Sequence, residues 1–176
     1  MRAVRHTEHG VHVVDAPVSG GDVALTKQLL VIVGGAPDAI ERCRPMFASY
    51  AGRVVEVGAV GTAQSTKIVN NAVFIAMAGL MYDAWSLGDA LGIDAEGLGQ
   101  VLTNSAAATL MIPSFVALGP ETFAIRAWPT LHKDLDLARP LAERSGAADS
   151  NLLRTAADAI ATMAQRRAPW EATRQG

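Results

Sequence analysis

The sequence has one cysteine, few aromatic residues and no excess of either charge. Each shortage excludes something. A lone cysteine, Cys43, cannot build an intramolecular disulfide framework, and it accords with a reducing compartment. A formal net charge of −2 leaves no basic face of the kind that nucleic acid demands. The uncharged run Ile68 to Tyr82 holds two asparagines and is shorter than the roughly 20 apolar residues of a membrane span. The opening MRAVRHTEHG is basic, but no apolar core follows it, so it is not a secretory signal. The chain therefore reads as soluble and cytoplasmic. What is plentiful is alanine, which suits closely packed helices. Half of the 176 residues are hydrophobic, enough to bury the core of one domain, or of a small domain with an appendage.

Two textures divide the chain. Up to about Val57, β-branched runs alternate with glycine turns. His12-Val13-Val14 reads as a strand stopped by Asp15-Ala16-Pro17. Leu29 to Val33 is a continuous apolar run closed by Gly34-Gly35, the pattern of a strand buried on both faces. Ile40, Cys43, Met46 and Phe47 fall at helical spacing between Pro37 and Ala48. Arg53 to Val57 is a third strand. The last three elements predict a βαβ unit with a right-handed crossover. The link between the first two strands is too short for a helix, so that pair is expected to run antiparallel.

After Gly58 the pattern is helical. One helix is expected from Thr62 to Leu91, ended by Gly92. Asp94 caps a second through Leu102. Others are expected from Ala106 to Leu118, Pro129 to Arg144 and Asp149 to Arg167, with Pro140 kinking or splitting the middle one. The polar tail from Arg166 is expected to fray.

Three segments can carry chemistry. In Gly58-x-x-Gly61-x₅-Lys67-x-x-Asn70-Asn71, a strand ends, a glycine turn follows and a helix begins. Lys67 and Asn71 are four residues apart and share a helix face. An ammonium beside an amide can grip a hydroxyl or carbonyl oxygen. A lysine whose burial lowers its pKa from about 10.4 can also exchange a proton. A lone K-x-x-x-N is usually a solvated surface pair. Lys67, however, is the one charge between Val57 and Tyr82. In Asp15-Ala-Pro-Val-Ser19-Gly20-Gly21, a strand end exposes backbone N–H groups and a hydroxyl, a nest suited to a carboxylate. Alone it is more often a turn. Leu131-His132-Lys133-Asp134-Leu135-Asp136-Leu137-Ala138 reads by itself as an amphipathic helix with a mixed-charge face. His6, His9 and His12 are spaced by three, but Gly10 interrupts them, so no metal site is read there. His132 reads as a packed or capping histidine.

In this order, D-A-P-V-S-G-G, G-x-x-G-x₅-K-x-x-N-N and K-D-L-x-L-A resemble the β-hydroxyacid dehydrogenase family, which includes 3-hydroxyisobutyrate dehydrogenase and is related to 6-phosphogluconate dehydrogenase. The resemblance runs from about Val11 to Met163. It implies that Lys67 is the general acid/base and that Asn71 helps hold the substrate oxygen. Ser19, Gly20 and Gly21 would bind the substrate carboxylate. Lys133 would lie beside the nicotinamide of NAD or NADP. The partner expected is a small hydroxy acid or its semialdehyde. A homo-oligomer through the helical domain is also expected.

Members of the family open with a Rossmann unit bearing G-x-G-x-x-G. That fingerprint is absent here, since Gly97-Leu-Gly99 continues as Gln100-Val101-Leu102. Ala63 stands where the family often has glycine. The fold expected is α+β. A three-stranded remnant of a Rossmann-type sheet occupies 1–58. An all-α substrate and dimerisation domain of the 6-phosphogluconate dehydrogenase C-terminal type occupies 59–168, and a flexible tail 169–176. Such a remnant would expose an unpaired sheet edge and tend to self-associate. The competing reading is a non-catalytic helical oligomerisation module left from a split or degraded gene.

Overall fold

The computed structural model describes residues 11–20 and 27–174. It divides into two compact units, one ending at Val69 and the other starting at Asn70. The first holds β1 (Val14–Asp15), β2 (Val18–Ser19), β3 (Leu29–Gly35), α1 (Pro37–Phe47), β4 (Ala51–Gly58) and the opening turns of α2 (Thr62–Ala90). The second holds the rest of α2, then α3 (Ala95–Asn104), α4 (Met111–Ser145) and α5 (Asn151–Arg174).

In the sheet unit, β3 is central. β4 runs parallel to it, with Val31 beside Val54 and Ile32 beside Val55. β1 and β2 are antiparallel to β3, with Val14 opposite Gly35 and Val18 opposite Val31. Both pairings keep one register, so β1 and β2 are halves of one extended segment along the other edge of β3. Pro17 divides them because it has no N–H to give the ladder. Its carbonyl still accepts from the Ile32 N–H at 2.9 Å. The expected three-stranded sheet thus holds four strands in three positions. A two-residue strand such as β2 leaves no periodicity to read. Val31, Ile32 and Val33 are all buried, as the apolar run implies. Ile40 and Phe47 close over β3 from α1. Arg44 pairs with Glu41 and with Glu56, tying α1 to β4.

In the helical unit, α2 buries Ala72, Ile75, Ala78, Met81 and Tyr82. Gly79 lets α5 approach, since a Cβ there would lie 2.9 Å from the Ala159 Cβ. Among the described residues, α2 is the one helix long and apolar enough to cross a membrane by length and composition alone. The uncharged run Ile68 to Tyr82 is only part of this helix. Charges bound that run, whereas the helix continues past both Lys67 and Asp83. Its buried side meets α4 at Phe115 and α5 at Ala159.

Tyr82 is 1% exposed, and its hydroxyl donates to the Pro120 carbonyl at 3.0 Å. Burial pushes its phenol well above the ordinary tyrosine range, so it stays a donor. Phe115 meets its ring edge-on at 5.0 Å, and the Arg166 guanidinium lies 5.0 Å from the ring centre. Asp94 caps α3 by accepting from the Gly97 N–H at 2.8 Å, as its position before the helix predicts.

The later helices differ from expectation. The one expected from Ala106 starts at Met111, because Ser105 closes a local turn by accepting from the Ala107 N–H. Pro140 does not split α4, and the break falls instead at Gly119 (φ 72, ψ 160). Pro120 then sits where a missing N–H costs nothing, with Glu121 beside the positive end of the resumed helix. The resumed helix continues through Pro129 and Pro140, so the stretch before Pro129 is helical as well. α5 likewise continues beyond Arg167 to Arg174.

Candidate functional site

The start of α2 is built by three local devices. Gly58 and Gly61 take positive φ values of 127° and 96°, which turn the chain out of β4. Thr62 bonds back on the turn, its Oγ1 donating to the Ala59 carbonyl at 2.6 Å. From β1, Asp15 reaches across so that its Oδ2 accepts from the Gln64 N–H at 3.0 Å. A carboxylate at this end satisfies an otherwise unpaired N–H and complements the helix dipole. Ala63 is fully buried in the first turn. Lys67 follows one turn after Gln64 and is half-buried.

One turn further, Asn71 is held on both sides. Its Nδ2 donates to Asp134 Oδ2 at 2.7 Å, and its Oδ1 accepts from Asn70 Nδ2 at 3.1 Å. A carboxylate only accepts, so Asp134 fixes which way the amide faces. Lys133 follows Trp128 and His132 on α4. Its Nζ lies 3.8 Å from Asp134 Oδ1, and its side chain is 69% exposed. Asp134 therefore joins the amide of α2 to the ammonium of α4.

Reading Leu131 to Ala138 as a plain mixed-charge face missed Asp134. Its signal was present in the spacing. Leu131, Leu135 and Ala138 are buried, and Asp134 falls among them at the i+3 position, facing inward with 16% of its side chain exposed. His132 stacks on Trp128 at 4.5 Å and sits 3.4 Å from Asp136, which makes it a packed residue.

Of the three residues expected to cradle a carboxylate, Ser19 and Gly20 lie at the end of β2. Ser19 is half-buried and opposite Leu30. Gly20 is exposed with φ 124, a conformation that other residues rarely adopt. Gly21, His6 and His9 lie outside the described residues. Among the described residues, no group of three His, Cys, Asp or Glu side chains is placed to hold a metal ion.

Two family models divide the chain between them. Residues 1–58 match the NAD-binding domain of 6-phosphogluconate dehydrogenase. Residues 61–173 match the NAD-binding domain of NADP-dependent 3-hydroxyisobutyrate dehydrogenase. The chain belongs to the β-hydroxyacid dehydrogenase family. A probable 3-hydroxyisobutyrate dehydrogenase of Mycobacterium tuberculosis is 31% identical over 149 residues, covering 79% of this chain and 51% of that protein. The mitochondrial 3-hydroxyisobutyrate dehydrogenase of Homo sapiens is 39% identical over 98 residues, covering 54% and 29%. The solved M. tuberculosis 3-hydroxyisobutyrate dehydrogenase with L-serine superposes at TM-score 0.72 and 31% identity, covering 86% of this chain and 55% of that one. The chain spans about half the length of the mycobacterial relatives and a smaller share of the human one.

For a β-hydroxyacid dehydrogenase the implied cofactor is NAD or NADP, and Lys133, the residue expected beside its nicotinamide, is exposed on α4. The exposed Lys133 ammonium can meet a polar edge of nicotinamide. For the phosphates, the sequence has no G-x-G-x-x-G loop to bring backbone N–H groups close.

Proposed function

We propose that the chain forms the catalytic half of an NAD(P)-dependent dehydrogenase acting on a small 3-hydroxy or 2-hydroxy acid, or on the matching semialdehyde. The observation that carries this reading is one helix face. Lys67 stands one turn before Asn71 on α2, and Asp134 holds the Asn71 amide in a single orientation. The relatives' names add chemical consistency. 3-Hydroxyisobutyrate and L-serine, named with the mycobacterial structure and with a Pseudomonas aeruginosa NAD-dependent L-serine dehydrogenase, are both carboxylates bearing a hydroxyl on the β carbon.

Nicotinamide supplies the hydride acceptor or donor when bound. Lys67 takes the hydroxyl proton as the carbon–oxygen double bond forms, and returns it in the reverse direction. Asn71 holds that oxygen. Ser19, Gly20 and Gly21 receive the substrate carboxylate through a hydroxyl and backbone N–H groups. Lys133 orients the nicotinamide end of the cofactor. The working form is a homo-oligomer through the helical domain, in the cytoplasm.

The test is binding and turnover. Fluorescence titration with NADH and NADPH is run on the purified chain, alone and mixed with a separately produced domain bearing the missing fingerprint. Binding in either setting, with oxidation of a 3-hydroxy acid, is the expected result. Lys67→Ala then lowers turnover about 10²- to 10⁴-fold with an unchanged circular dichroism spectrum. Unchanged turnover in that variant refutes the role given to Lys67. The absent glycine loop favours a second reading, a non-catalytic oligomerisation module. That reading is the one left if neither setting binds cofactor.

A further inference from the structure

The Asp15 carboxylate has no role in the mechanism above, yet its placement is unusual. Oδ2 caps the Gln64 N–H, while Oδ1 is buried with no hydrogen-bond partner among the described residues. A buried acceptor left unpaired costs free energy, so something must offset it. The surroundings show how it is accommodated. At Gly34 a Cβ would lie 2.5 Å from Asp15 Oδ1, 2.6 Å from the Ala59 carbonyl oxygen and 3.0 Å from Thr62 Oγ1. Any side chain at Gly34 would displace the carboxylate or the turn that opens α2. β1, the end of β3 and the Gly58-to-Thr62 turn thus meet on one carboxylate, and Lys67 comes three residues after the amide it binds.

We infer that Asp15 is a positioning residue. It fixes the first turn of α2 and, as the charge at that helix end, sets the electrostatic environment of Lys67. It does not bind substrate. The helix N-terminus, which could otherwise attract an anionic ligand, is taken by the protein's own carboxylate. The inference rests on reading Lys67 as the proton-transfer group, but its test needs no turnover, so the two can fail separately.

The chain has three lysines, Lys27, Lys67 and Lys133. Reductive dimethylation with ¹³C gives one NMR signal for each, and two serve as internal references. In Asp15→Asn the amide oxygen can still accept from Gln64, but the charge is gone. Removing the anion that caps the helix one turn before Lys67 disfavours the ammonium, so the Lys67 titration midpoint falls while those of Lys27 and Lys133 stay. In Asp15→Ala the bond is lost as well, and the Gln64 amide exchanges its hydrogen about fivefold faster, the expected effect of losing one cap. Gly34→Ala, with Asp15 intact, moves the Lys67 signal in the same way by crowding the carboxylate. A wild-type Lys67 midpoint in Asp15→Asn overturns the proposal, whether or not the other two variants fold. Equal shifts at all three lysines overturn it too.

Discussion

Asn71 and Asp134 meet between two helices at 2.7 Å, and each leaves the other unsatisfied if removed. Asp134→Ala strands the Nδ2 donor of a half-buried amide. Asn71→Ala strands one oxygen of a carboxylate that is 16% exposed. Each single change is expected to destabilise the fold by about 1–3 kcal/mol, the cost of an unpaired buried polar group. The double variant removes donor and acceptor together. It should therefore cost less than the sum of the singles, by about 1 kcal/mol. Urea denaturation of the four proteins checks this. Strictly additive costs would mean that the bond contributes nothing in solution, and Asp134 would lose its place in the candidate site. At this scale the sequence singled out the candidate reactive groups but not their supports. Lys67 is legible because it is the one charge in a long neutral stretch. Asp134 sits in a charged segment, where a structural carboxylate looks like any other. Asp15 acts on an N–H 49 residues away, a pairing no local pattern encodes.

Among the elements, what could be read followed the strength of local signals. The apolar run of β3, the glycines around α2 and the Asp94 cap of α3 each fix their own neighbourhood. α4 defeated that approach, since it contains Pro113 in its first turn and Pro120, Pro129 and Pro140 beyond, and the break falls at a glycine instead. An internal proline costs one hydrogen bond and a clash, which packing of Leu131, Leu135 and Ala138 can outweigh. Gly119 breaks the helix because its φ of 72° and ψ of 160° lie in a region open almost only to glycine. The break also presents the Pro120 carbonyl to the buried Tyr82 hydroxyl. Gly119→Ala is therefore expected to destabilise the chain by about 1–3 kcal/mol, although alanine favours helices in general. A thermal melt reads the outcome. An unchanged or raised Tm would show that the break tolerates a Cβ and is held by Pro120 alone.

At the scale of the molecule, two apolar surfaces remain without a partner among the described residues. One belongs to the sheet. Among the described residues β4 pairs only with β3, so no described strand covers its other edge, and Val55 on it is 38% exposed. The second lies along α2, where Val69, Val73, Leu80 and Leu87 are all exposed. At about 100° per residue these four fall within an arc of about 40°, a narrow apolar stripe rather than scattered exposure. A strand edge and an apolar stripe on one chain both favour association. The 176-residue chain is therefore expected to elute from size exclusion as a species larger than a monomer, with light scattering giving its mass. The two surfaces make different predictions. If the stripe drives association, Leu80→Glu with Leu87→Glu yields monomer while Val55→Lys does not. If the edge drives it, the order reverses, and a domain that supplies the neighbouring strands should dissolve the assembly. A monodisperse wild-type chain that melts in one cooperative step would show that neither surface is sticky enough to matter, and would remove the support for a homo-oligomer built by this chain.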